Sequence, residues 1–247
     1  MGELNKFSTG VISTGSKILD EFLVSGYEKD VITTIYGPAG SGKTNLVLIA
    51  LVDQIKKGRS VIYIDTEGSF SVTRVMQLCP DFEKFAEKVL FLKPTTFTEQ
   101  KAAFEKLKEA VNEKDDIGLI IIDSIAMLYR LEVGKSQDVY NVNKELGIQL
   151  GLLTGIARKK LIPVLITNQV YADFDNKDAV KMVGGDLLKY SSKCLIELKK
   201  ASHSVRVAQL RKHRSIKEGK EVPFLIKESG LVKADISDSP IDTDEVI

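Results

Sequence analysis

Apolar and polar positions along this chain fall into two kinds of block. Short runs rich in Val and Ile recur at Val31–Tyr36, Ser60–Asp65, Lys88–Leu92, Gly118–Asp123 and Ile162–Thr167. Runs this short, with no polar face, predict strands buried on both sides, as in a mainly parallel sheet. Between them the spacing is helical. Lys43–Lys57 carries apolar residues at 46, 47, 50, 51 and 55. Thr96-Phe97-Thr98-Glu99 is a capping-box pattern opening an amphipathic helix that reaches about Asn112. Asp138–Lys160 has apolar residues at 139, 142, 146, 150, 153 and 157, which predicts a long helix with one buried face. This alternation predicts an open α/β sheet with right-handed crossovers. After Lys193 the pattern changes: Lys193–Leu198, Val205–Leu210 and Val222–Ile226 follow one another without helices and predict antiparallel hairpin strands. No repeat, low-complexity segment or proline-rich linker divides residues 1–247, so one domain is expected, with a lead segment at 1–30 and an acidic tail at 235–247, expected to be mobile.

Composition narrows the picture mainly by exclusion. At 247 residues and 43% hydrophobic, the chain is long enough for a sizeable core. A net charge of +1 announces neither a nucleic acid nor a membrane, so any such partner must be argued from local charge. Cys79 and Cys194 lie far apart, and read as free thiols in a reducing compartment. Zinc would need clustered ligands that the sequence lacks. No apolar run reaches a membrane span's length and no signal-peptide pattern opens the chain, so a cytoplasmic protein is expected.

The firmest chemistry is Gly37-Pro38-Ala39-Gly40-Ser41-Gly42-Lys43-Thr44, which matches G-x-x-x-x-G-K-[ST] between a strand and a helix. Its glycines let the backbone curl so that successive N–H groups face a phosphate, and the following helix adds the positive end of its dipole. Lys43 would reach the β- and γ-phosphates and the Thr44 hydroxyl would bind Mg²⁺. The expected ligand is a nucleoside triphosphate, ATP above all.

Three strand ends carry further candidates. Asp123 closes Leu119-Ile120-Ile121-Ile122-Asp123; an acid there can hold Mg²⁺ through water, or merely cap the next segment. Glu67, in Ile64-Asp65-Thr66-Glu67-Gly68, can polarise the water that attacks the γ-phosphate, although a strand-end Glu alone is more often a cap or surface charge. Gln169, in Thr167-Asn168-Gln169, can contact the γ-phosphate or that water without adding charge, or simply face solvent.

Taken in order, these segments resemble the RecA/RadA recombinase superfamily over nearly the whole chain. The resemblance rests on Ser13-Thr14-Gly15-Ser16-Lys17-Ile18-Leu19-Asp20, the phosphate loop, Asp65-Thr66-Glu67-Gly68-Ser69-Phe70, Ile121-Ile122-Asp123-Ser124 and Thr167-Asn168-Gln169-Val170. It implies a RecA-like P-loop ATPase core that binds ATP, Mg²⁺ and DNA, single-stranded or branched, in recombination and repair. By motif position Glu67 is the implied water-activating residue and Gln169 the implied γ-phosphate sensor. Arg74 is the residue implied to lie against adenine. DNA contact is implied for two loops: Arg130 to Lys135, with Arg130 and Lys135 as its cations, and Tyr171 to about Gly185, with Lys177 and Lys181.

Two departures qualify what the resemblance implies. The superfamily's N-terminal DNA-binding domain and Phe-x-x-Ala linker are not found ahead of the first strand, which argues against stable filaments and strand exchange. Where recombinases have an Asp and a Pro that cap a neighbouring subunit's ATP, this chain reads Arg211-Lys212-His213-Arg214-Ser215. That resembles the Lys-x-Arg element of KaiC-like members, and makes Lys212 and Arg214 candidate phosphate sensors acting on a neighbour, DNA contacts, or a solvated basic turn. Lys193–Lys220 holds nine Lys or Arg against two acids, while Asp235–Ile247 holds five acids and no Lys or Arg. This predicts a basic DNA-facing surface, and a tail that competes with DNA or docks a partner. The expectation is a slow, accessory ATPase that works with other recombination or replication proteins, with a homo-oligomer as one form it can take. The alternatives are a KaiC-like ATPase acting on proteins and a nucleotide-switched binding module.

Overall fold

The structure, a computed structural model, describes residues 10–172, 180–201 and 204–234. Lys177 and the acidic tail lie outside the described residues. The five apolar runs form β3 (Ile32–Gly37), β4 (Ser60–Asp65), β5 (Val89–Leu92), β6 (Ile117–Asp123) and β7 (Val164–Ala172). They pair in parallel in the order β3-β7-β6-β4-β5. β3, β4 and β6 are buried at every position, as strands covered on both faces are. β9 (Ser192–Lys200) adds to the far side of β3 in parallel. Then β10 (Val205–Lys212), β11 (Glu221–Lys227) and β12 (Gly230–Lys233) follow as antiparallel neighbours, the expected hairpins.

Helices cover both faces. On one, α2 (Lys43–Lys56) buries Leu46, Val47, Leu48, Ala50, Leu51 and Ile55 against Val61, Tyr63, Leu119, Ile121 and Ile196. On the other, α4 (Phe97–Glu113) and α6 (Val139–Lys160) bury Phe104, Leu107, Leu146, Leu150 and Leu153 against Ile62, Ile120, Ile122 and Ile166. Alternate residues of β4 and β6 thus serve opposite cores, the consequence of the strand's two-residue period. α4 begins where its capping box predicts: Thr96 Oγ1 accepts from Glu99 N at 3.1 Å, while Glu99 turns back to Thr95.

The lead segment is more built than its sequence suggested. It folds as β1 (Val11–Ile12), α1 (Lys17–Phe22) and β2 (Tyr27–Glu28), burying Leu19, Phe22 and Tyr27. Asp20 explains the motif there, because its carboxylate accepts from Ser13 Oγ and from Thr14 N, both at 2.7 Å. Gly15, at φ +80°, lies so close to α2 that a Cβ would stand 2.6 Å from the Ile49 carbonyl oxygen. This motif therefore clamps the helix that carries the phosphate loop, and is structural.

Other elements escaped the sequence because they are short or polar: α3 (Val72–Leu78), α5 (Met127–Val133), α7 (Gly185–Ser191) and β8 (Val180–Met182). Two of them correct expectations. The segment expected as a first DNA loop is mostly helix, with Arg130 on α5 and Lys135 just past its end. The second is a hairpin: β7 runs beyond Thr167 to Ala172 and β8 returns antiparallel to it, with Lys181 opposite Tyr171. Among the described residues no helix is long and apolar enough to cross a membrane.

Candidate active site

The parallel register decides which strand ends meet. Gly37 at the end of β3 pairs with Gln169 of β7, and Asp65 at the end of β4 pairs with Asp123 of β6. The segments containing Gly37, Glu67, Asp123 and Gln169, separated along the chain, therefore open side by side at the carboxyl edge, where α/β sheets bind ligands.

Pro38, Ala39 and Gly40 are exposed, and Ser41 and Lys43 are buried. Gly42 is the N-cap of α2 at φ +103°, a left-handed conformation that costs an L side chain about 1–2 kcal/mol. The first N–H groups of α2 have no partner within the helix and face the loop. Lys43 is 7% exposed and donates from Nζ to the carbonyl oxygens of Gly37 at 2.9 Å and Pro38 at 3.0 Å. Burial lowers the pKa of this ammonium; the charges of Glu67 and Asp123 oppose the shift and that of Lys200 adds to it. Ser41 Oγ is buried without a hydrogen-bond partner. A cation that among the described residues meets two carbonyls, a hydroxyl with no partner among them and a helix N-terminus all suit a phosphate chain.

Asp123, 1% exposed, gathers hydroxyls. Its Oδ2 accepts from Thr44 Oγ1 and Tyr63 OH at 2.8 Å each and from Ser69 Oγ at 2.9 Å, and its Oδ1 accepts from Thr167 Oγ1. Burial and the Asp123 charge raise the Tyr63 pKa well above the usual range, so the phenol stays neutral and donates. A hydroxyl and a carboxylate 2.8 Å apart, beside the phosphate loop, form an oxygen donor set suited to Mg²⁺.

Glu67 lies near enough to Lys43 for its charge to act on the ammonium. Its Oε1 accepts from Gln169 Nε2 at 3.0 Å. Asn168, fully buried, donates to the carbonyl of Val183, and Val183 N donates to Gln169 O at 3.3 Å. The strand end that touches Glu67 is thus tied to the residue that follows β8.

Arg74 reaches back from α3. Nε donates to Asn45 Oδ1 at 2.7 Å, Nη1 to Gln77 Oε1 and the Glu228 carbonyl, and Nη2 to the Lys227 carbonyl. These bonds hold the guanidinium in place, and a planar guanidinium can stack on a purine. Lys212 and Arg214 are not brought to this site. β10 runs against β9, which carries them away from the carboxyl edge: Lys212 pairs with Leu195, level with Thr34, and Arg214 meets Asp30, about 20 Å along the strand from Gly37 at ~3.3 Å per residue. Lys212 Nζ donates to the carbonyls of Lys189 and Ser192. Arg214 binds Asp30 through both oxygens at 2.6 and 2.7 Å and Glu28 at 2.7 Å.

The Rad51 family model matches residues 6–234 of this chain. The chain belongs to the Rad51 family. Its relatives there include the DNA repair and recombination protein RadB of Methanobrevibacter smithii, 42% identical over 226 residues, covering 90% of this chain and 95% of that protein. The RadB of Methanococcus maripaludis is 44% identical over 216 residues, covering 87% and 97%. A crystal structure of the RadB recombinase superposes with a TM-score of 0.76 at 34% identity, covering 91% of this chain and all of that one. The Rad51-like fold, a mostly parallel sheet with helices on both faces and antiparallel C-terminal strands, is the one expected from the sequence.

Sequence reading of this Rad51-family chain missed the partners of Asp123. Tyr63 did carry a signal, as a lone hydroxyl inside the buried run Val61-Ile62-Tyr63-Ile64. Thr167 and Ser69 carried none, because they meet Asp123 only across strands.

Proposed function

We propose that this chain is a DNA-binding ATPase of homologous recombination and repair, acting in the cytoplasm as a slow, nucleotide-controlled accessory factor. The observation that carries the reading is the Gln169–Glu67 hydrogen bond at 3.0 Å. It joins the acid placed to activate water to the strand that runs directly into the β7–β8 hairpin. A change at the γ-phosphate and a change in DNA contact would then share one side chain.

In this reading the backbone from Gly37 to Thr44 cradles the phosphates, Lys43 binds β- and γ-oxygens, and Arg74 stacks on adenine. Thr44 directly, and Asp123 through water, would hold Mg²⁺, which when bound neutralises charge on the phosphates. Glu67 accepts a proton from, or orients, the attacking water, and Gln169 fixes the Glu67 carboxylate. Arg130 and Lys135, with Lys177 and Lys181 of the second segment, would contact DNA phosphates.

Titration of labelled single-stranded DNA, with and without ATP and Mg²⁺, tests the reading. Affinity is expected to fall with salt, and each of Arg130→Ala and Lys135→Ala to flatten the slope of log affinity against log salt by about 0.7. Binding that ignores salt and both substitutions would favour an ATPase acting on proteins.

Because Lys212 and Arg214 point away from this chain's own phosphate loop, a phosphate-sensing role for them would require a homo-oligomer. Slow turnover is consistent with Arg214, which must first leave Asp30 and Glu28. ATP turnover per chain is expected to rise with protein concentration, and Arg214→Ala to flatten that rise. A wild-type rate independent of concentration removes the role.

A further inference from the structure

Asp123 is the most heavily hydrogen-bonded acid of the site, and its four donors are not equivalent. Thr44 belongs to the phosphate loop, while Tyr63 and Thr167 sit on the neighbouring strands β4 and β7. Ser69 alone comes from a loop, the one joining β4 to α3, and that loop also carries Glu67.

This loop is fastened at both ends. Thr66 N donates to the Asp123 carbonyl at 2.8 Å, while Thr66 Oγ1 donates to the Ser124 carbonyl and accepts from Ser124 N. At the far end Ser69 N and Phe70 N donate to the two oxygens of Asp65, at 3.1 and 3.2 Å. Only Glu67 and Gly68 lie between. Ser69 Oγ donates to Asp123 Oδ2 at 2.9 Å and lies 3.4 Å from Thr44 Oγ1. It therefore touches both groups that would face a divalent cation, two residues along from the acid that would face the water.

We propose that Ser69 is a positioning residue that ties the metal-side carboxylate to Glu67, with Tyr63 holding the same carboxylate from the buried side. The inference rests on the reading of Thr44 and Asp123 as the Mg²⁺ side of the site. Hydroxyls donating to Oδ2 hold the carboxylate in one orientation, so that it would face the cation's water in a fixed direction. Outer-shell partners of this kind commonly govern metal affinity by 10–100-fold. Because Ser69 belongs to the loop of Glu67, one hydroxyl serves both the cation and the base.

The test is a Mg²⁺ titration of the full chain with a fluorescent ATP analogue, beside affinity for the same analogue in EDTA. Ser69→Ala is expected to raise half-saturating Mg²⁺ by about 10-fold or more, with metal-free affinity unchanged. At saturating Mg²⁺ its kcat should fall while KM for ATP holds. Ser69→Thr, which keeps the hydroxyl, is expected to restore both. Tyr63→Phe should move the Mg²⁺ curve in the same direction; since Tyr63 is buried in the core, the Ser69 pair decides the matter if that variant fails to fold. A Ser69→Ala curve that overlays the wild type overturns the inference, as does a Ser69→Thr variant no better than Ser69→Ala. Nucleotide binding by the wild type that ignores Mg²⁺ would instead overturn the metal-side reading of Thr44 and Asp123.

Discussion

Glu67→Gln is expected to lower single-turnover ATP hydrolysis by about 10²–10⁴-fold, the usual contribution of a positioned general base, while leaving ATP affinity almost unchanged. The two effects separate because the hydrogen bond that Glu67 makes is to Gln169, while the phosphates are cradled by Gly37 to Thr44. An amide at position 67 keeps the size and one hydrogen-bonding oxygen, so the Gln169 contact can persist. What it loses is the negative charge that draws a proton from water. Rapid-quench measurement with enzyme in excess of ATP isolates the chemical step. An unchanged rate would remove Glu67 from the mechanism and make its hydrogen bond to Gln169 purely structural. Loss of ATP binding in proportion to rate would show Glu67 acting on the ground state instead.

The second large effect is expected at Lys43. Its ammonium is buried, with the Gly37 and Pro38 carbonyls as its hydrogen-bond acceptors among the described residues, and burial lowers its pKa. Keeping it charged in that setting disfavours the folded chain, whereas a triphosphate supplies the anion it lacks. Lys43→Ala should therefore weaken ATP binding by roughly 10–150-fold, matching about 1.5–3 kcal/mol for a hydrogen bond to a charged group. In the absence of nucleotide its melting temperature should match or exceed the wild type. The sign follows from the direction of the shift: a base whose folded pKa is lowered costs stability while it is protonated, and removing it relieves that cost. Lys43→Arg should weaken binding as well, since a planar guanidinium does not fit a cradle built for one compact ammonium. Isothermal titration beside thermal melting measures both arms. A large fall in melting temperature without nucleotide would mean that Lys43 is chiefly a structural brace of the loop.

The same contrast shows in what the chain encodes locally. The phosphate loop was legible because loop, strand and helix are adjacent in sequence. The strands were legible because a buried parallel strand leaves an unbroken apolar run, as Leu119-Ile120-Ile121-Ile122 does. The hairpins after Lys193 were legible because nothing helical separates them. The helical nature of Arg130 was not, since α5 is two turns long and buries only Leu128. Nor was the purpose of Ser13 to Asp20, where the motif is visible but the α2 contact it serves is not.

The linear order of residues thus determined the element sequence, the phosphate loop and the acids and amides at strand ends. It left open which of those ends face one another. That depended on register between strands far apart in the chain, which brings Gly37 beside Gln169 and Asp65 beside Asp123. From the same register come the hydroxyls of Tyr63, Ser69 and Thr167 around Asp123, and the separation of Lys212 and Arg214 from the site. Local periodicity reports whether a residue is buried, because burial follows the twofold or 3.6-fold repeat of its own segment. It does not report the partner, because a partner is chosen by pairing across the sheet.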